Sequence, residues 1–150
     1  MKRLVLILAA LAAFTALPPS QAQAYSYYIT LRNDTNMEVN FALGLKVPSW
    51  DALMRGWWSV PPNSSREVYH EYGGDIKFVY WIAETKGAAW YGRESETIFE
   101  VVPEKFEYKT DISEKDNRGT HSPKNKNGIR MVPFRKAPMS RGRCTIRVTM

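Results

Sequence analysis

Two histidines, one cysteine and a few clustered carboxylates hold most of the reactive chemistry available to this 150-residue chain. The stretch "HEYGGD" sets His70, Glu71 and Asp75 close together, three side chains of metal-ligating type. It lacks the second histidine of the H-E-x-x-H zinc pattern, and the spacing argues against a metal centre. His121 falls in residues 113 to 128, which carry no aliphatic or aromatic side chain and read as a solvated, flexible polar loop. Cys144 could act as a nucleophile with either histidine as base. It lies on the apolar side of the alternating run "RCTIRVTM", where a thiol behaves as a small buried hydrophobe. An intermolecular disulfide is the other reading of an odd cysteine in an exported chain. A Ser-His-Asp arrangement needs no closeness in sequence, but no G-x-S-x-G elbow points to one. Glu94, Glu96 and Glu100 follow Trp90 and Tyr91. Carboxylates beside aromatic rings suit glycosidic hydrolysis, and they equally suit a solvated strand face. No cofactor and no metal is called for. The leading expectation is a non-enzymatic binding protein, with an uncharacterised hydrolase as a rival.

Binding chemistry is better represented. "LMRGWWSVPPNSS" places Trp57 beside Trp58 and ends in a Pro-Pro-Asn turn signal. Successive side chains of a strand point to opposite faces. One indole should anchor a core, and the other should lie outward or beneath a covering segment. Gly56, just before the pair, permits close approach of another chain or a ligand. Trp50, Trp57, Trp58, Trp90 and Tyr91 are therefore candidates to contact a sugar ring, a peptide or a partner protein.

Charge supplies a second candidate surface. Residues 25 to 117 hold ten Lys/Arg against fifteen Asp/Glu, whereas residues 118 to 150 hold nine Lys/Arg and no acid. Such a split suits a tail that docks on an acidic body or meets an anionic partner. Arg130, Arg135, Lys136, Arg141, Arg143 and Arg147 are the candidate anion contacts. For an exported protein the anion expected is envelope lipid or acidic polysaccharide, not nucleic acid.

Export is read from the first 24 residues. Lys2 and Arg3 precede an apolar run from Leu4 to Leu17, and Ala22-Gln23-Ala24 follows as a cleavage site. The run is shorter than the roughly 20 residues that span a bilayer. The mature chain should begin at Tyr25, carry no membrane span, and reside in the periplasm or outside the cell. One domain is expected, with residues 25–112 as its core and the basic strands of 129–150 completing it. With a single cysteine, its stability must come from packing, for which five Trp, eight Tyr and five Phe from residue 25 onward supply the bulk.

Period-two runs predict strands. In "YSYYITLR" Tyr27, Ile29 and Leu31 share a face; in "MEVNFALGL" Met37, Val39, Phe41, Leu43 and Leu45 do. "NDTN" between them predicts a hairpin turn. "KVPSWDALM" breaks the pattern and reads as a loop or short helical turn. "RGWWSV", "SREVYHEY", "TIFEVVP", "KFEYKT" and "IRMVPF" read as further strands, and "RCTIRVTM" should turn Cys144, Ile146, Val148 and Met150 inward. "IKFVYWIAE" is apolar on both faces, which predicts a central strand covered from both sides. About eight short strands without a helix-period stretch imply an all-β fold, a small antiparallel sandwich or partly open barrel.

The order of "LRNDTNMEVNFALG", Trp50, "RGWWSVPPNS", "FVYWIAE" and "WYG" at 90 to 92 resembles a family of small exported bacterial proteins known only as a domain of unknown function. The resemblance covers about residues 27 to 108. It implies export and a β fold, and it brings no activity with it. Relatives tend to carry cysteines where this chain has Ser65 and Glu100, so a bridge between them would be absent here.

Overall fold

The computed structural model describes residues 25–46, 51–72, 75–93, 97–111 and 127–150. The signal-type segment, Trp50, Glu94, Glu96, His121 and most of the polar stretch lie outside the described residues. Among the described residues there is no helix, so none is long and apolar enough to cross a membrane.

The described residues form eleven strands, in place of about eight: β1 (Tyr25–Asn33), β2 (Val39–Lys46), β3 (Asp51–Val60), β4 (Ser64–Tyr72), β5 (Phe78–Thr85), β6 (Ala88–Trp90), β7 (Ile98–Val101), β8 (Phe106–Asp111), β9 (Arg130–Pro133), β10 (Arg135–Pro138) and β11 (Arg143–Val148). They make an all-β, sandwich-like fold of three sheets, none closed into a barrel. The central sheet runs β10-β5-β2-β3-β8, and β6 shares the β10 edge of β5. One outer sheet is β11-β1-β4, the other is the pair β7-β9. All pairings are antiparallel except that of β1 with β11.

Two cores follow from the alternation. Tyr27, Ile29 and Leu31 of β1 meet Phe41, Leu43 and Leu45 of β2 and Val79 and Trp81 of β5 in the first. The opposite faces of β2, β3 and β5 meet the other outer sheet in the second, through Met54, Tyr80, Ile82, Phe99, Val132 and Phe134. Both faces of β5 are thus covered, as its doubly apolar sequence predicts. Cys144, Ile146 and Val148 point inward as their alternation requires, whereas Met150, past the end of β11, is 69% exposed.

Two readings of local structure are corrected. β1 and β2 are not a hairpin: β1 pairs with β4 and β11, while β2 pairs with β3 and β5. Their apolar faces oppose each other across the first core, so the chain must cross between sheets. Asn33 and Thr35, both buried, form the corner. Asn33 Nδ2 donates to the carbonyls of Met37, Val60 and Pro61 at 2.7, 2.9 and 3.0 Å. Asn33 Oδ1 accepts from the Thr35 amide at 2.9 Å and the Thr35 hydroxyl at 2.8 Å. Val60 and Pro61 begin the β3–β4 connection, which also passes between sheets, so one amide fastens two crossings. The "DALM" segment, in turn, is strand and not loop. Ala52 and Met54 point into the second core and pair opposite Thr110 and Tyr108 of β8, so tertiary pairing overrides a weak local pattern.

The C-terminal segment gives one strand to each sheet: β9 to β7, β10 to β5 and β11 to β1. Arg147 pairs with Asp34, and Arg130 with Glu84. Docking of basic tail on acidic body is thus built into the fold.

Candidate functional site

Trp57 and Trp58 part, as pleating demands, but a bulge decides which goes where. Phe41 pairs with Trp58 and Ala42 with Gly56, which leaves Trp57 as the extra residue of β3. Trp57 packs on the second core, edge-on to Phe106 at 5.9 Å between ring centroids. Its indole N–H donates to the Val102 carbonyl at 2.8 Å. Trp58 packs on the first core, edge-on to His70 at 6.4 Å. Neither ring is fully exposed; each is half-buried.

Gly56 is required here. A Cβ at this position would stand 2.6 Å from the Phe106 ring and 3.0 Å from the Ala42 Cβ. The tight approach lets β8 end against β3 at Gly56, opposite Phe106.

The β5–β6 hairpin brings the other aromatic candidates back beside β5. Lys86 and Gly87 turn the chain, with Gly87 at φ 93°, and Trp90 comes to lie opposite Ala83. Trp90 packs on the first core and donates through its indole N–H to Thr149 O at 3.3 Å. Tyr91 lies on the second-core side, and its hydroxyl donates to Glu84 Oε1. Arg130, arriving on β9, donates to the Tyr91 hydroxyl at 3.1 Å and to Glu84 Oε2 at 3.0 Å. Carboxylate, phenol and guanidinium thus close a three-membered network. Burial first, and the Glu84 carboxylate second, raise the Tyr91 pKa, while the hydrogen bond to Glu84 raises that of Arg130.

Three shallow depressions share Glu84 and together form a groove. One, of about 330 Å³, lies between Asn40, Trp57, Pro103, Lys105 and Arg130. Another, about 380 Å³, follows the β5–β6 turn past Ala89 to Tyr91 and Arg130. The third, about 630 Å³, extends past Asn40 toward Met37, Glu38 and Lys86. The groove therefore brings together Trp57, Tyr91 and Arg130 from the sequence candidates. Trp58 and Trp90 belong to the first core, away from it.

The remaining basic candidates are dispersed. Arg135 stacks over Trp81 and donates to Tyr91 O at 2.8 Å; Lys136 sits over Phe78 and Tyr80. Arg143 lies over Tyr28 at 4.8 Å, on the outer face of the first sheet. Arg141, at φ 48°, occupies the β10–β11 turn beside a separate depression that also contains Lys77 and Asp75.

The nucleophile candidates do not converge. His70 faces Tyr27, and Cys144 faces Ile29 from the other side of β1. Two strand spacings and two residues of offset separate their backbones by about 12 Å. Burial pushes the Cys144 thiol up to about 11. His70 Nδ1 accepts from Arg55 at 3.1 Å, and Arg55 in turn pairs with Glu107 at 2.8 Å. Because arginine only donates, the ring proton is on Nε2, which has no hydrogen-bond partner among the described residues. Burial, reinforced by the Arg55 charge, lowers the His70 pKa to about 4. Among the described residues no three His, Cys, Asp or Glu side chains gather to hold a metal. Glu100 lies on β7 and Ser65 on β4, in different sheets.

Sequence reasoning missed Glu84 and Asn40. The signal was present: Glu84 is the first charge after the doubly buried run of β5, and the Lys86-Gly87 turn folds Tyr91 back on that strand. No protein-family model matches the chain, and a search of curated proteins finds no match.

Proposed function

We propose that this chain is an exported, non-enzymatic binding protein whose ligand lies in the groove around Glu84. One observation carries the reading: half-buried Trp57 and Tyr91 flank a groove whose centre is the hydrogen-bonded Glu84–Tyr91–Arg130 network. Concave surfaces that combine apolar rings with a few fixed polar groups are the usual form of small-ligand sites. Each ring is already oriented, Trp57 by Val102 and Tyr91 by Glu84, so little side-chain entropy is lost on binding. The N-terminal signal pattern and the resemblance of residues 27–108 to small exported bacterial proteins support the location. The spacing of His70 and Cys144 favours binding over nucleophilic catalysis.

A second reading, anion capture by the basic C-terminal segment, has weaker support. Arg130 and Arg147 are already paired with carboxylates, and Arg135, Lys136 and Arg143 lie over aromatic rings on different sheets. The test is a titration of ¹⁵N-labelled protein with neutral oligosaccharides, short peptides and anionic vesicles. Shifts centred on Asn40, the Trp57 indole and Tyr91 are expected with one class. Shifts confined to β10 and β11 would favour the second reading, and an unmoved groove with every class would end the first.

A further inference from the structure

Resting on the groove as the binding site, we infer that its ligand is an uncharged glycan. The charges lining the groove nearly balance: Glu38 and Glu84 stand against Lys86, Lys105 and Arg130. A polyanion would meet two carboxylates and a polycation three cations, so neither is favoured along the whole length. An uncharged chain rich in hydroxyls meets no such opposition. It also exploits what the groove offers in quantity, which is planar hydrogen-bonding groups.

The Glu84 carboxylate and the Arg130 guanidinium lie side by side, each already ordered by the other and by Tyr91. A carboxylate has about four acceptor sites and a guanidinium five donors, so both retain capacity after pairing. Neighbouring hydroxyls of a sugar ring, each both donor and acceptor, match such a pair. Asn40 adds an amide with both functions on the far side of Glu84. The indole of Trp57 has its one polar atom turned to Val102 O, so its half-exposed remainder is carbon. The C–H face of a pyranose is the natural cover for such a surface, with its hydroxyls directed to the groove walls. The groove is open, and its three depressions adjoin at shared lining residues, Asn40 and Glu84 between two of them and Glu84 and Arg130 between the next, which suits a segment of a chain better than one enclosed monosaccharide.

The probes are soluble neutral hexaoses (β-1,4- and β-1,3-glucan, mannan, xylan and chitin types), a hexagalacturonate and an unrelated neutral hexapeptide. They are titrated into the folded protein by calorimetry and ¹⁵N NMR. At least one neutral hexaose is expected to bind, to shift groove resonances, and to change affinity less than twofold between 0.05 and 0.5 M salt. Glu84→Gln and Asn40→Ala should each weaken that binding by roughly tenfold or more, the loss expected for a charge-assisted or buried hydrogen bond. Arg147→Gln, on the outer face of the first sheet, should leave it unchanged, and circular dichroism confirms that each variant is folded. Binding of only hexagalacturonate, weakening steeply with salt, overturns the inference, as does silence from all the sugars. Binding of the peptide alone in the groove defeats the glycan and leaves the groove as the site. A hexaose whose affinity ignores Glu84→Gln and Asn40→Ala removes the groove and the glycan together.

Discussion

Two polar networks of this protein use similar atoms to opposite ends. At the Asn33–Thr35 corner, an amide and a hydroxyl are buried, and every partner is a neighbouring part of the same chain. At the groove, Glu84, Tyr91 and Arg130 bond one another at the surface and keep further donors and acceptors turned outward. A buried network whose capacity is used up joins pieces of a fold; a surface network with capacity left over is equipped to recognise something else. Both lie close in sequence to strands that are plain in the alternation pattern, so burial, and not residue type, separates them.

The contrast breaks most sharply at Asn33. Asn33→Ala leaves the Val60 and Pro61 carbonyls and the Thr35 amide without the Asn33 side chain, all at least partly buried, while the Met37 carbonyl keeps the Thr35 hydroxyl as a donor at 3.0 Å. A buried group left unpaired costs about 1–3 kcal/mol, so a loss of about 4 kcal/mol in unfolding free energy is expected for the cluster. The urea midpoint reads it. A loss below about 1 kcal/mol would mean that the two sheet crossings hold without their shared amide.

This corner also shows why the strands were legible and their pairing was not. Alternation fixes which residues of "YSYYITLR" and "MEVNFALGL" share a face, and Tyr27, Ile29, Phe41 and Leu43 are all buried as expected. It is silent on whether two apolar faces lie side by side in one sheet or oppose each other across a core. "NDTN" fits a tight hairpin and a sheet-to-sheet crossing equally well, and only Val60 and Pro61, some 27 residues away, decide between them. The groove is hidden for the same reason. Trp57 and Tyr91 could be named as contact residues from their types, but Glu84 and Asn40 gain meaning only from the β2–β5 pairing. Two short strands escape: "AAW" and "RKAP" show no apolar alternation, unlike the equally short β7 and β9, which sit in the apolar runs "TIFEVVP" and "IRMVPF".

His70 stands between the two networks, buried like the corner but incompletely satisfied like the groove. Its pKa falls from 6.5 unfolded to about 4 folded. The unfolded chain therefore takes up the proton first as pH drops, and stability is lost between pH 6.5 and 4. Above that window the contribution is fully present; below it, fully gone. A shift of this size corresponds to about 3 kcal/mol. Denaturation at pH 7 and at pH 4 should differ by that amount in excess of a His70→Gln variant. Parallel curves for the two proteins would place the acid sensitivity elsewhere.

Next in size is Gly56, where backbone closeness rather than hydrogen bonding shapes the approach to the groove. Gly56→Ala drives a methyl to within 2.6 Å of the Phe106 ring, which is wedged against Trp57 and Tyr108 and has little room to retreat. Overpacking of this kind costs about 1–3 kcal/mol. It should also disturb the Trp57 indole N–H resonance, because the bulge sets where that ring points. An unaltered indole signal with normal stability would show that the strand spreads at no cost.

The smallest effect is the one that tests the comparison itself. Glu84→Gln keeps the shape of the side chain and removes the charge that Arg130 faces across 3.0 Å. Both partners are partly solvated, with side-chain exposures of 23% and 45%, so solvent screens most of the attraction. Stability should change by less than about 1 kcal/mol. Arg147→Gln, which removes one of the two arginines paired with Asp34 beside the corner, should be equally mild, since Arg32 still holds that carboxylate at 2.8 Å. In stability the two surface pairs are thus equivalent, and only a ligand can tell them apart. If Glu84→Gln instead unfolds the protein as readily as Asn33→Ala, the groove network is a second structural corner, and its outward capacity is incidental.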